Sequence, residues 1–167
     1  MLGRIRVLPL GRDNCRMTIR ITTVCLGNIC RSPIAAAVLA DELGDLDVEV
    51  DSAGTGHWHV GGNADHRALE ALSRAGYHLD HVARQATPAL LADSDLVLAM
   101  DAANLRDLQR MGVPAELVRS FDPAADDIEV PDPYYGTAAD FDDVVSMIQA
   151  TVPGVRARVH ELYGANG

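Results

Sequence analysis

Cys25-Leu26-Gly27-Asn28-Ile29-Cys30-Arg31-Ser32-Pro33 stands between the β-branched run Ile19 to Val24 and the small apolar run Ile34-Ala35-Ala36-Ala37-Val38-Leu39. The first run has the composition of a strand, and the second, with Pro33 at its start, that of a helix. The residues between them therefore form a strand-to-helix loop. Such a loop is an anion site, because the first N–H groups of a helix lack intrahelical partners and the helix dipole turns its positive end toward them. A phosphate-sized dianion would be held largely by backbone donors, here from Leu26, Gly27, Asn28, Ile29 and Cys30, with Ser32 also among its contacts. The same field favours Cys25 as a thiolate, the nucleophilic form. Arg31 is expected to complete the cradle, since its planar fork takes two phosphoryl oxygens at once where lysine offers a point charge. Ser32 can donate to the Cys25 sulfur and so make it a better leaving group in a second, hydrolytic step. The two familiar nucleotide loops do not occur: no glycine-rich loop ends in Gly-Lys-Ser/Thr, and no Gly-x-Gly-x-x-Gly follows a strand.

Working outward, the chain alternates strand and helix. Val48 to Ser52, Leu96 to Ala99 and Leu117 to Ser120 read as further strands. Helices are expected at Ala64 to Ala75, stopped by Gly76, in a short piece opened by Thr87 as N-cap and Pro88, and at Asn104 to Arg110. A last helix runs from Phe141 to Leu162, with a kink or break at Pro153. This alternation predicts an α/β fold: an open parallel four-stranded sheet with helices on both faces, doubly wound in the flavodoxin-like or Rossmann-like manner, with the phosphate-binding loop after the first strand.

A second chemical element lies at Val130-Pro131-Asp132-Pro133-Tyr134-Tyr135-Gly136. Two prolines flank Asp132 and push the residue before each into extended geometry, so this carboxyl sits on a stiffened loop. Cleavage of a phosphate ester needs a proton donor for the departing oxygen, and a nearby bound dianion favours the protonated form of an acid. Tyr134 and Tyr135 then offer an aromatic wall to a flat substrate ring.

Taken together, these strings resemble the low-molecular-weight protein tyrosine phosphatases. The similar segments are Val24 to Pro33, Asp51-Ser52-Ala53-Gly54-Thr55 with Trp58, His81-Val82-Ala83-Arg84-Gln85, Met100-Asp101 with Asn104-Leu105, and Asp132 to Gly136, in the family's order. The resemblance implies that Cys25 attacks phosphorus, that Arg31 binds the phosphoryl oxygens and that Asp132 is general acid and then base. It also implies that Asn28, Ser52 and His81 support the loop, a role that suits the tolerance of asparagine for a left-handed backbone. Trp58 is expected in the pocket wall facing Tyr134 and Tyr135, because glycines and histidines surround it rather than an apolar periodic pattern. The family's behaviour further implies that Cys25 and Cys30 can close a reversible disulfide that protects the nucleophile from over-oxidation; by its own chemistry Cys30 is equally readable as a small buried residue.

Composition bounds the rest. A chain of 167 residues with 48% hydrophobic content can bury one good core, and residues 17–167 are expected to form a single domain. Residues 1–16 lie outside the similar region and are expected to be a poorly ordered extension. The net charge of −10 argues against nucleic-acid binding, and no apolar run approaches a membrane span or a signal peptide. A cytoplasmic protein is expected, unless it is exported by a route that leaves no signal in the chain. A phosphotyrosine-containing protein is the expected partner, and the chain itself should be a monomer or a weak homodimer. Three cysteines do not make a disulfide scaffold. No cofactor and no metal are expected: the cluster His57, His59, Asp65 and His66 has no helical His pair, and His59 is better placed to tune which peptides fit the mouth. Three other readings compete. An arsenate reductase of the same fold would need further cysteines after Cys30, and there are none. A phosphoarginine phosphatase fits the paired tyrosines and Trp58 less well than a flat aryl ester does. A non-catalytic phosphate-binding module would need neither Cys25 nor Asp132.

Overall fold

A computed structural model describes residues 18–165. The expectations for residues 1–16 fall outside the described residues. The element order is β1 (Ile19–Cys25), α1 (Arg31–Glu42), β2 (Val48–Gly54), α2 (His66–Arg74), α3 (Pro88–Leu91), β3 (Leu96–Ala99), α4 (Ala102–Arg110), β4 (Glu116–Leu117) and α5 (Ala138–Ala165). The four strands form one parallel sheet in the order β2-β1-β3-β4. This is the expected α/β fold.

Side chains alternate between the two faces of a strand, so each strand feeds two cores. Ile19, Ile21, Leu96 and Leu98 pack with Ile34, Val38 and Leu39 of α1, Leu72 of α2 and Phe141, Val145 and Ile148 of α5. Val24, Ala53, Val97 and Ala99 point the other way, onto Leu91 of α3 and Leu108 of α4. The central strand β3, Leu-Val-Leu-Ala, is covered on both faces and reads as a continuous apolar run, whereas the edge strand β2 alternates, with Glu49 and Asp51 exposed. No helix among the described residues is long and apolar enough to cross a membrane.

Local signals account for most boundaries. Thr87 caps α3 by accepting from the Leu90 N–H at 3.1 Å, as expected. Gly76 takes φ of +88° just past α2, which only glycine adopts at little cost. The helix itself begins later than expected, at His66, because Asp65 serves as its cap and accepts from the Arg67 N–H at 2.9 Å.

Two expectations are corrected. The fourth strand is Glu116–Leu117 rather than Leu117 to Ser120; Val118–Phe121 form a 3₁₀ turn instead. Ser120 explains the exit from the sheet, since its hydroxyl donates to the Leu117 carbonyl at 2.6 Å and offers the backbone a local alternative to the ladder. Of the kink or break expected at Pro153, the break does not occur: one helix, Ala138–Ala165, continues through it. An interior proline costs a helix about 3 kcal/mol. Val155 and Val159 lie beyond it, fully buried on the stripe begun by Val144 and Ile148, and burying each stabilises by about 1.5–3 kcal/mol, enough to offset the loss. Gly154 follows because the Phe121 carbonyl would lie 2.2 Å from any Cβ placed there.

Candidate active site

The strand order reverses direction between β1 and β3, and in open parallel sheets the crevice beyond the carboxyl ends of two such strands is the ligand site. Cys25 is the last residue of β1, and Asp101 lies just past the end of β3. The loop of residues 26–30 curls over this crevice before entering α1 at Arg31.

Asn28 holds the curl. Its φ of 55° lies in the left-handed region, uncommon for a residue with a side chain, so the surroundings must over-determine it. They do so at every polar atom. The side-chain amide donates to Ser32 Oγ and to Ser52 Oγ, each at 2.9 Å. The Oδ1 atom accepts from the Arg84 N–H at 3.0 Å. The main-chain carbonyl accepts from His81 Nε2 at 2.7 Å, so the ring carries its proton on that nitrogen. Burial holds His81 below the usual imidazole range, with the carbonyl pulling the other way and the Arg84 charge adding to the fall. The ring is therefore neutral at neutral pH. Gly54 completes the support: the Leu26 carbonyl passes 2.7 Å from where its Cβ would stand.

Cys25 is buried, with Sγ 3.0 Å from Ser32 Oγ and 3.3 Å from the Asn28 N–H, which donates to it. Ser32 Oγ accepts from the Asn28 amide, and its one hydrogen has two acceptors in reach, the Cys25 sulfur at 3.0 Å and the Ala53 carbonyl at 3.4 Å. Arg31, only 4% exposed, donates from Nη1 to Asp101 Oδ2 at 2.6 Å and to the Val130 carbonyl at 3.0 Å. Its Nη2 lies 3.9 Å from Asp132 Oδ2. Burial would lower the guanidinium, but the Asp101 bond and the charges of Cys25, Asp101 and Asp132 hold it above its ordinary value. It is a fixed cation.

These groups open into one cavity of about 300 Å³, lined by Cys25, Leu26, Gly27, Ile29, Cys30 and Arg31 at its base and by Trp58, His59, Asp132, Tyr134 and Tyr135. Trp58 is largely exposed and stacks on His57 rather than sitting in the core. Tyr134 and Tyr135 meet edge to face, 4.9 Å between centroids. Asn28, Ser32, Ser52 and His81 do not line the cavity. Asn28 and Ser32, expected among the anion's contacts, act from behind: they hold the loop and the sulfur. Cys30 is buried beside Asp65, and burial first, then the charges of Asp65, Cys25 and Asp132, push its thiol up to about 12. Of the histidine and acid cluster, Asp65 is taken up by Arg67, whose bonds hold its carboxyl below the usual range despite partial burial.

Asp101 falls in one of the similar segments, yet sequence reasoning assigned it no role. One carboxylate oxygen caps α4 by accepting from the Asn104 N–H at 2.8 Å, and the other anchors Arg31. Its signal was present: an acid directly after the third strand and at a helix start.

Comparison with known proteins bears on the same residues. Residues 20–162 match the family model described as low molecular weight phosphotyrosine protein phosphatase. A low molecular weight protein-tyrosine-phosphatase of Streptomyces coelicolor is 46% identical over 158 residues, covering 87% of this chain and 96% of the relative. A crystal structure of a protein tyrosine phosphatase from Entamoeba histolytica superposes with a TM-score of 0.81 at 31% identity, over 86% of this chain and 97% of that one. A drosophila arginine phosphatase does so with a TM-score of 0.78 at 27% identity, over 84% and 97%. The matched span contains the Cys25 loop, Asp101 and the Asp132 loop alike, and the chain belongs to the low molecular weight phosphotyrosine protein phosphatase family.

Proposed function

We propose that the chain hydrolyses phosphotyrosine in proteins through a cysteinyl-phosphate. The observation that carries this is the convergence of the Cys25 sulfur, the buried Arg31 and the Asp132 carboxyl on one cavity with aromatic walls. The Cys25 thiolate attacks phosphorus in line with the phenolic oxygen. As the P–O bond breaks, Asp132 passes its proton to that oxygen and tyrosine leaves neutral. Arg31 holds the equatorial oxygens throughout. Asp132, now a carboxylate, takes a proton from water whose oxygen attacks phosphorus; the S–P bond breaks, and the Ser32 hydroxyl stabilises the thiolate that departs.

Depth argues for an aryl substrate. Cys25 and Arg31 are 3% and 4% exposed, whereas Trp58 and Tyr135 are 65% and 96% exposed, so phosphorus must reach a floor well below the rim. A phosphotyrosine carries its phosphate farther from the main chain than a phosphoserine does, and its ring suits the aromatic lining. A guanidinium can also stack on aromatic faces, and the drosophila relative of similar fold is an arginine phosphatase, so phosphoarginine is the second reading. Paired kinetics on one peptide carrying phosphotyrosine, phosphoserine or phosphoarginine separate these. We expect kcat/KM for phosphotyrosine to exceed the others by about a hundredfold or more. A phosphoarginine peptide turned over fastest would overturn the assignment.

We propose further that Cys30, buried in the lining of the same cavity, captures an oxidised Cys25. Peroxide converts the Cys25 thiolate to a sulfenic acid, and attack by Cys30 sulfur then expels water and forms a disulfide. With the Cys30 thiol pushed up to about 12, its thiolate fraction grows about tenfold per pH unit across the neutral range, so capture should be faster at pH 8 than at pH 6. After peroxide treatment, the activity recovered by dithiothreitol should rise with pH in the wild type and fall in Cys30→Ser. Equal recovery in both proteins, with no Cys25–Cys30 bond by mass analysis, would leave Cys30 a packing residue.

A further inference from the structure

The segment Pro131 to Gly136, which carries the proposed acid, makes one hydrogen bond to another element among the described residues: Arg67 Nη1 donates to the Tyr134 carbonyl at 2.9 Å. Its other bonds are internal, from the Tyr134 N–H to Asp132 Oδ1 at 3.1 Å and from the Gly136 N–H to the Pro133 carbonyl at 2.8 Å. On the other side of Asp132 the chain is tied at Val130, whose carbonyl accepts from Arg31 Nη1 and whose N–H donates to the Met100 carbonyl, so Arg67 supplies the second of two ties and the prolines stiffen the stretch between them.

Arg67 is itself held on three sides. Asp65 takes Nε and Nη2 at 3.0 and 2.8 Å, which leaves Nη1 facing Tyr134. The guanidinium lies over the Tyr134 ring at 5.4 Å and over the ring of buried Phe141 at 4.7 Å. Asp65 is fixed in turn: its carboxylate caps α2, and its own N–H donates to the Ile29 carbonyl in the anion loop at 2.8 Å. A continuous bracket therefore runs from Ile29 through Asp65 and Arg67 to Tyr134, two residues from Asp132. A planar fork can bind a carboxylate along one edge and a carbonyl from its remaining nitrogen while stacking on two rings; an ammonium cannot.

We propose that the Asp65–Arg67 pair is a positioning strut that sets the Asp132 loop over the anion loop and aligns the acid with the leaving oxygen. This rests on the hydrolytic reading above. A small misplacement of an acid slows the reaction steeply, and most for leaving groups that need protonation.

The test is the dependence of kcat/KM on leaving-group basicity across a series of substituted phenyl phosphates. Arg67→Met and Arg67→Gln both keep a stem over Phe141 and both break the three-way tie; if one does not fold, the other reads the result. In each we expect about a tenfold or larger loss on phenyl phosphate, a loss of less than about threefold on the most activated ester, and unchanged affinity for inorganic phosphate. In an Asp132→Ala background the same substitutions should add nothing to the slope, because the acid they position is gone. Equal losses across the series, or losses that add in full to those of Asp132→Ala, would make Arg67 a packing residue and overturn the proposal. If Asp132→Ala alone fails to steepen the slope, the acid assignment fails instead, so the two failures are told apart.

Discussion

Cys25→Ser is expected to abolish turnover of aryl phosphates while the anion site stays intact. The sulfur makes two polar contacts, with Ser32 Oγ and the Asn28 N–H, and a serine oxygen can keep both. The curl of the loop depends on Asn28, which is bonded to Ser32, Ser52, His81 and Arg84 and does not need the thiol. Arg31 is held by Asp101 and Val130 on the far side of the crevice. What serine lacks is an accessible anionic form, and none of these neighbours is a base able to generate one. Deleting the nucleophile of a hydrolase costs on the order of 10⁶-fold in kcat. Titration of inorganic phosphate against the variant should give a dissociation constant within about a factor of three of the wild type, since backbone donors and Arg31 carry the binding. Appreciable hydrolysis by a verified Cys25→Ser protein would sink the covalent mechanism.

Much of this arrangement was legible because each layer of the sequence points the same way. The run Ile19 to Val24, Leu96 to Ala99 and the helix capped by Thr87 state their structure locally, and so does the Asp65 cap of α2, a signal that the expected start at Ala64 overlooks. The misread segments are those where distant packing decides. Leu117 to Ser120 has strand composition, yet it lies at the sheet edge, where only Glu116 and Leu117 find partners on β3. Pro153 is a helix breaker by local rule, and only the depth of Val155 and Val159 in the core reverses that.

The site divides in the same way. Cys25, Arg31 and Ser32 flank one short loop between β1 and α1, so spacing alone brings them together. Asp132 lies about a hundred residues on and was readable only through its flanking prolines and the pairing of an acid with a phosphate loop. The supporting groups carry weaker signals. Asp101, Asp65 and Arg67 look like ordinary helix-start residues, and their second roles appear when the topology sets β3 and α2 beside the crevice. Asn28 and Ser32 show the converse: they sit in the loop's sequence but turn away from its cavity.

Asp132→Ala is expected to give the second large effect, and one whose pattern identifies the role. The tyrosine oxygen is a basic leaving group, with a phenol pKa of about 10, so expelling it unprotonated is slow. Loss of the donor should lower kcat/KM on phosphotyrosine by roughly a hundredfold or more. An activated ester whose phenolate leaves without a proton should be slowed far less in the same step. Its second step still needs a base to take a proton from water, and the alanine side chain supplies none. With the activated ester, therefore, formation of the cysteinyl-phosphate should outrun its breakdown, and rapid mixing should show a burst of phenolate approaching one equivalent of enzyme. Tolerance of the change is expected, because the Asp132 side chain is half-exposed and its one hydrogen bond is to the nearby Tyr134 N–H. Equal losses across leaving groups, with no burst, would show that Asp132 shapes the loop and does not move the proton.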